Sequence, residues 1–266
     1  MDMQLVGKKA LVTGSTAGIG LATAKGLYRE GVSVCVNGRS QQRVEEAVRQ
    51  IKDLPTIGMP EVTGIAADLG TAEGVAALVR QLPELDILVN NVGIFEPKPF
   101  DHIPDEDWLR FFQVNVMSGV RLTRHYLPGM MTRNWGRVVF VSSESGVQIP
   151  AEMIHYGMTK TAQIAIARGV AETTAGTGVT VNSVLPGPTE SEGVATFVAD
   201  LAKRQGIGRS EFETEFFKTV RPSSLLKRFA TSEEVANMIV YVCSPLASAT
   251  NGAALRVDGG VVRAIV

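Results

Sequence analysis

Lys8-Lys9-Ala10-Leu11-Val12-Thr13-Gly14-Ser15-Thr16-Ala17-Gly18-Ile19-Gly20 is a short apolar run that breaks into three glycines. It restarts at once as an amphipathic pattern, Leu21 to Arg29, stopped by Gly31. An apolar strand, a glycine turn and a helix in that order predict one unit of a layered α/β structure. The spacing Gly14-x3-Gly18-x-Gly20 differs from the G-x-G-x-x-G fingerprint but can do the same physical work. Glycines turn the backbone tightly and let a pyrophosphate approach the N-terminus of the next helix. A plain strand-to-helix turn is the alternative, and it rarely needs three glycines.

The unit then repeats. Val32–Asn37 is a second apolar strand and Gln41–Lys52 a second helix. Strand Val62–Ala66 precedes helix Thr71–Gln81, and strand Ile87–Asn90 precedes a long helix Asp105–Arg133. Strand Arg137–Ser142 precedes a helix carrying Tyr156 and running to Ala175, and strand Thr180–Leu185 precedes a long irregular region. Helix Ser232–Cys243 and a strand at Ala254–Val257 close the pattern. Strands apolar throughout, each followed by a helix, predict an α/β fold: a single doubly wound parallel sheet of about seven strands, Rossmann-type, with helices on both faces. With 266 residues, no internal repeat and no Pro-, Ser- or charge-rich linker, one domain over 1–266 is expected.

Bulk properties narrow the function. A net charge of −1 gives no electrostatic argument for nucleic acid or an anionic membrane. No apolar run reaches the roughly 18 residues of a membrane span, and the acidic start Met1-Asp2-Met3-Gln4-Leu5 is not a signal peptide. Cys35 and Cys243, with His102, His125 and His155, form no metal-ligand spacing, so no metal is expected, and the cysteines read as buried free thiols of a cytoplasmic protein.

In a sheet of this kind ligands bind beyond the carboxyl ends of the strands. The glycine loop, Asn90, Ser142-Ser143 and Pro186-Gly187 all fall there. At the end of strand 2, where an acid would bind a ribose 2′-hydroxyl, stand Gly38, Arg39 and Ser40. A guanidinium suits a 2′-phosphate, so NADP(H) is preferred and NAD(H) possible; an exposed arginine without a ligand is the alternative. Asp68, before Leu69, can hydrogen-bond an adenine or cap helix Thr71–Gln81, and the two readings stand even. Asn90-Asn91-Val92-Gly93 supplies amides and a glycine where backbone must pass close to a ligand. On a helix, Tyr156 and Lys160 lie one turn apart on one face, where an ammonium would lower the phenol's pKa and ready it for proton exchange with a substrate oxygen.

On these residues the chain resembles the short-chain dehydrogenase/reductase family over essentially its whole length. The matching elements are Thr13-Gly14-x3-Gly18-x-Gly20, Asn90-Asn91-x-Gly93, Asn115, Ser143 thirteen residues before Tyr156, Tyr156-x3-Lys160 and Pro186-Gly187. Val92 departs from the alanine usual there. The resemblance implies that Tyr156 is the general acid in reduction and base in oxidation, and that Lys160 lowers its pKa and holds the nicotinamide ribose. It implies that Ser143, favoured over Ser142 by spacing, bonds the substrate oxygen. Asn115 would anchor a water linking Lys160 to solvent. Cofactor contacts would come from Gly14, Ser15, Thr16, Gly18, Ile19, Gly20, Arg39, Ser40, Asp68, Leu69, Asn91, Val92, Gly93, Tyr156, Lys160, and Pro186, Gly187 and Thr189 over the nicotinamide. Glu144, Gln148 and Glu152 lie where the family forms its substrate pocket, or face water. His155, about 100° round the helix from Tyr156, reads as a wall or surface residue.

The resemblance makes Thr189–Arg228 a substrate lid, with Phe197, Phe212, Phe216 and Phe217 lining a partly apolar pocket or packing within the lid. It implies a homotetramer, with the apolar tail Val261–Val266 buried in it. The expected activity is interconversion of a small-molecule ketone or aldehyde with an alcohol. The 3-oxoacyl-carrier-protein reductases are similar in length and motif order. For them Arg133 and Arg137 could meet an acidic carrier, but the next interface helix ends Thr174-Ala175-Gly176-Thr177-Gly178 without a base. A non-catalytic nucleotide-binding regulator is the reading from another class, disfavoured by the intact catalytic set.

Overall fold

The computed structural model describes residues 2–190 and 208–265. One parallel sheet of seven strands organises them, in the order β3-β2-β1-β4-β5-β6-β7. The strands are β1 Lys9–Val12, β2 Ser33–Gly38, β3 Val62–Ala66, β4 Ile87–Asn90, β5 Gly136–Val141, β6 Val179–Pro186 and β7 Ala254–Val257. Strand order reverses between β1 and β4, so their carboxyl ends diverge into a crevice.

Successive side chains of a strand face opposite sides, and here both sides are apolar. Ala10, Val12, Val34, Val36, Ile87, Val89, Val139 and Val141 pack with α1 (Gly18–Arg29), α2 (Gln41–Lys52) and α8 (Ser232–Cys243). Leu11, Cys35, Leu88, Val138 and Phe140 pack on the other side, against α3 (Ala72–Gln81), α5 (Ser118–Thr132) and α6 (Ile154–Thr173). Both cysteines are buried and free, as expected. Burial pushes the Cys243 thiol up to about 12 and the Cys35 thiol up to about 11, which keeps both unreactive.

Three departures from the sequence pattern bear on the site. Helix α1 begins at Gly18 rather than Leu21, because Gly20, a poor helix former, is packed closely against Gly14 and Ser15 of the turn. The long helix predicted over Asp105–Arg133 is three pieces: α4 (Asp105–Phe111), a π-helical turn (Phe112–Met117) and α5. Such turns are inserted where an α-helix must present a residue out of register, frequently at functional sites. Helix α3 is capped by Thr71, whose hydroxyl accepts from Gly74 N at 3.0 Å, so Asp68 is not its cap. In the segment expected to form a lid, helix α7 (Arg209–Thr219) carries Phe212 and Phe217, both buried, and Phe216, which packs against Phe217 and Phe229. Phe197 lies outside the described residues.

Candidate active site

The glycine loop is tied to β4 by short polar side chains. Thr13 Oγ1 donates to Val89 O and accepts from the amides of Asn91 and Val92. Asn91 Nδ2 donates to the carbonyls of Thr13 and Gly14, both at 3.0 Å. Gly14 has φ +59°, a left-handed conformation that L-residues resist. A Cβ at Gly20 would stand 2.4 Å from Gly14 O, so glycine there is a steric requirement. The N-cap residue of α1, Ala17, offers no side-chain bond to the helix's first amides. Those free donors at the positive end of a helix dipole form a cradle that a pyrophosphate fits.

At the end of β2, Asn37 braces the loop: its Oδ1 accepts from Gly14 N and its Nδ2 donates to Ile65 O and Ala67 O. Ser15 directs its hydroxyl inward to Val12 O, and Leu69 is in the core, so these two can reach a cofactor through their main chains. A Cβ at Gly38 would lie 2.5 Å from Thr16 Cγ2, which blocks an acid at that position while Thr16 stands there. Arg39 is exposed beside it, and Ser40 caps α2 by accepting from Arg43 N. Asp68, also exposed, accepts from Gly70 N. Val92 lies 3.3 Å from where a Gly14 Cβ would be, and Ile19 packs on the core. Gly187 is fixed by its amide to Val257 O, and Thr189 by its hydroxyl to Gly187 O.

On the other side of the crevice, Ser143 follows β5, and Tyr156 and Lys160 come from the first turns of α6. Ser142, the rival serine, donates to the main-chain carbonyl of Lys160 at 2.8 Å and is structural. Ser143 Oγ donates to the Glu144 carboxylate and accepts from Ser145 N. Lys160 Nζ sits 5.5 Å from the Tyr156 ring centre and donates to Val141 O at 3.0 Å and Gln163 Oε1 at 3.1 Å. Asn115, in the π turn and fully buried, donates from Nδ2 to Ile94 O and Thr159 Oγ1 and accepts at Oδ1 from Ile94 N. Its main-chain carbonyl accepts from Gln163 Nε2 at 2.6 Å. Thus all four expected catalytic residues meet at one sheet edge.

Their electrostatics differ from the simple pair drawn from the sequence. Burial, reinforced by the Glu144 charge, pushes the Tyr156 phenol up, with Ser143 and Arg221 pulling it down. Burial likewise pushes the Lys160 ammonium down to about 7, opposed by Glu144. The expected lowering of the phenol does not appear, because desolvation penalises both charged forms more than their mutual attraction helps.

Beside this cluster stands a residue that sequence reading missed. Arg221, just after α7, reaches back with Nε to Glu144 Oε1 at 3.2 Å and with Nη1 to Glu152 Oε1 at 3.0 Å. Glu144 is therefore buried rather than facing water, whereas Gln148 is exposed at the rim. Phe95 meets the Tyr156 ring edge-on at 6.4 Å. His155 is a wall residue: it is fully buried against Phe111, with ring centres 4.1 Å apart, and burial lowers its pKa. Arg137, considered as a surface base, is 2% exposed, its guanidinium bound to the carbonyls of Ser244, Gly136 and Gly178.

A glycine-cradled nucleotide crevice facing a Ser/Tyr/Lys/Asn cluster defines a class, and the chain belongs to it: residues 8–202 match the short chain dehydrogenase family. It is an NAD(P)-dependent oxidoreductase of that family. Over 268 residues, and the full length of both chains, it is 48% identical to the uncharacterized oxidoreductase YvrD of Bacillus subtilis (strain 168). The 3-oxoacyl-[acyl-carrier-protein] reductase FabG of Aquifex aeolicus (strain VF5) is 31% identical, over 98% of this chain and 100% of its own. Among solved structures, L-sorbose reductase from Gluconobacter frateurii, complexed with NADPH and L-sorbose, superposes with a TM-score of 0.94 at 32% identity, covering 100% of both chains. Among the described residues no helix is long and apolar enough to cross a membrane, and no group of His, Cys, Asp and Glu could hold a metal ion.

Proposed function

We propose that the protein is an NADP(H)-preferring enzyme that interconverts a hydroxylated ketone and the corresponding alcohol. The observation that carries this reading is the meeting of Asn115, Ser143, Tyr156 and Lys160 beside the glycine cradle, with the buried Glu144–Arg221 pair and the exposed Glu152 in front of them. The nicotinamide cofactor, when bound, supplies or accepts the hydride. In reduction, Ser143 Oγ turns its proton from Glu144 to the substrate's carbonyl oxygen and Tyr156 Oη delivers the proton that completes the alcohol. In oxidation, Tyr156 takes that proton back. Lys160 holds positive charge beneath the phenol and Asn115 pins the loop at Ile94, so the cluster keeps its geometry through the cycle. Arg221 anchors the described part of the expected lid, 208–228, to Glu144 and Glu152.

Glu144 and Glu152 offer carboxylate acceptors and Arg221 offers donors, a set that matches vicinal hydroxyl groups. The L-sorbose complex of the structural relative supports a polyhydroxylated ketone. An acyl carrier is served less well, because Arg137 is buried and Arg133 donates to Leu85 O. Arg39 beside Gly38 supports NADP(H) over NAD(H). Exposed Leu109 and Phe112 on α4 and the π turn, with the apolar tail, support a homotetramer, and the absence of a metal-ligand spacing and the free thiols suit a cytoplasmic enzyme.

The test is oxidation of NADPH and NADH, in parallel, over ketoses, simple ketones, β-keto esters and acyl thioesters. Tyr156→Phe is the blank. Turnover of hydroxylated ketones with NADPH that falls about 10²–10⁴-fold in the variant establishes the reading. Tight NADPH binding with equal rates in both proteins replaces it with a nucleotide-binding regulator.

A further inference from the structure

Gln163 lies one turn beyond Lys160 on α6, is 1% exposed, and has both ends of its carboxamide engaged. Its Nε2 donates to Asn115 O at 2.6 Å, and its Oε1 accepts from Lys160 Nζ at 3.1 Å. We propose that Gln163 is a positioning residue for the reaction: it ties Lys160 to the π turn and holds the amine under Tyr156. The inference rests on the proposed roles of Tyr156 and Lys160.

The chemistry follows from the groups involved. An ammonium has three donors, and Val141 O and Gln163 Oε1 use two of them, leaving one for a ribose hydroxyl. An amide whose N–H is already donating is polarised, so its oxygen is a better acceptor. Gln163 therefore favours the charged lysine against the desolvation that opposes it. A carboxamide nitrogen neither gains nor gives up a proton near neutral pH, so Gln163 can orient but not relay. The ionisable groups facing Lys160 are Tyr156 on its own helix and Glu144 on the turn after β5, with Arg221 and Glu152 behind Glu144. The π turn and the loop after β4 present Asn115 and Gly93, which do not titrate.

The test follows Lys160 directly. Protein labelled at the lysine Cε is titrated by NMR, with Lys160→Arg assigning the resonance, in wild type, Gln163→Met and Gln163→Glu. Gln163→Met keeps the length and removes the acceptor, so the Lys160 titration falls by about one unit; Gln163→Glu adds a negative charge and raises it by a similar amount. Where turnover is found, the acidic limb of kcat for alcohol oxidation moves in the corresponding sense: up in Gln163→Met, whose weaker lysine charge leaves the phenol harder to ionise, and down in Gln163→Glu. Substrate KM stays near wild type, because Gln163 touches Lys160 and Asn115. An unmoved Lys160 titration in whichever variant folds, with only a lower Tm, overturns the proposal and makes Gln163 a packing residue. The NMR result does not depend on turnover, so failure of the proposed activity and failure of this inference are read separately.

Discussion

The two walls of the crevice are built on different principles. The cofactor wall, from β1, β2 and β4, is made of main chain, glycines and the short side chains of Thr13, Asn37 and Asn91, each bonded within the wall. The proposed substrate wall is made of long charged side chains from separate elements: Glu144 after β5, Glu152 before α6 and Arg221 after α7. A wall of backbone has one geometry and accepts a constant ligand. A wall of side chains can be re-cut without touching the fold, which suits a variable one.

The contrast predicts where substitutions act. The largest effect should come from Gly20→Ala, whose methyl would meet Gly14 O at 2.4 Å and Asn91 Nδ2 at 2.6 Å. Overpacking of ~1–3 kcal/mol should appear as a lower Tm and an NADPH Kd raised on the order of 100-fold, measured by fluorescence titration. If Gly20→Ala binds NADPH normally, the cofactor wall is more pliant than its bonding implies. Glu144→Gln should leave NADPH binding intact and raise KM for hydroxylated ketones about tenfold, the size of one hydrogen bond to a charged group. It also carries a pH signature. Glu144 holds the Tyr156 phenol up, so its neutralisation lowers that pKa and moves the acidic limb of alcohol oxidation to lower pH. A limb that stays in place would detach Glu144 from the phenol. The smallest of the three is Arg39→Gln, exposed and therefore screened: NADPH KM should rise roughly threefold and NADH KM should hold, by initial rates. Equal changes for both nucleotides would remove Arg39 from 2′-phosphate recognition. A switch by Gly38→Asp needs Thr16 reduced as well, because the new Cβ would stand 2.5 Å from its methyl.

The same difference explains what the sequence could reveal. The cofactor wall is written locally: strand, glycines and helix follow one another, and Asn91 follows its strand, so both are legible in the sequence alone. Tyr156, Lys160 and Ser143 were legible by spacing. Arg221 was not, because it lies 77 residues from Glu144 and 69 from Glu152, and only folding brings them together. The π turn escaped because a single wide turn leaves helical periodicity nearly intact. Arg137 was misread because a charged residue at a strand's start looks exposed, yet three carbonyls and the Trp135 face hold it inside. The phenol's pKa was misjudged because sequence shows charge and hides desolvation.

The uncapped start of α1 ties the molecule's durability to its metabolic surroundings. The first amides of that helix have no cap from Ala17, and a bound pyrophosphate would finish what the chain leaves open. A ligand at a hundred times its Kd adds about 2.7 kcal/mol to the folded state. When the nucleotide pool is full, the enzyme should outlast proteases; when the pool drains, the same chain should turn over faster. Abundance would then follow supply, with no regulator beyond the helix itself.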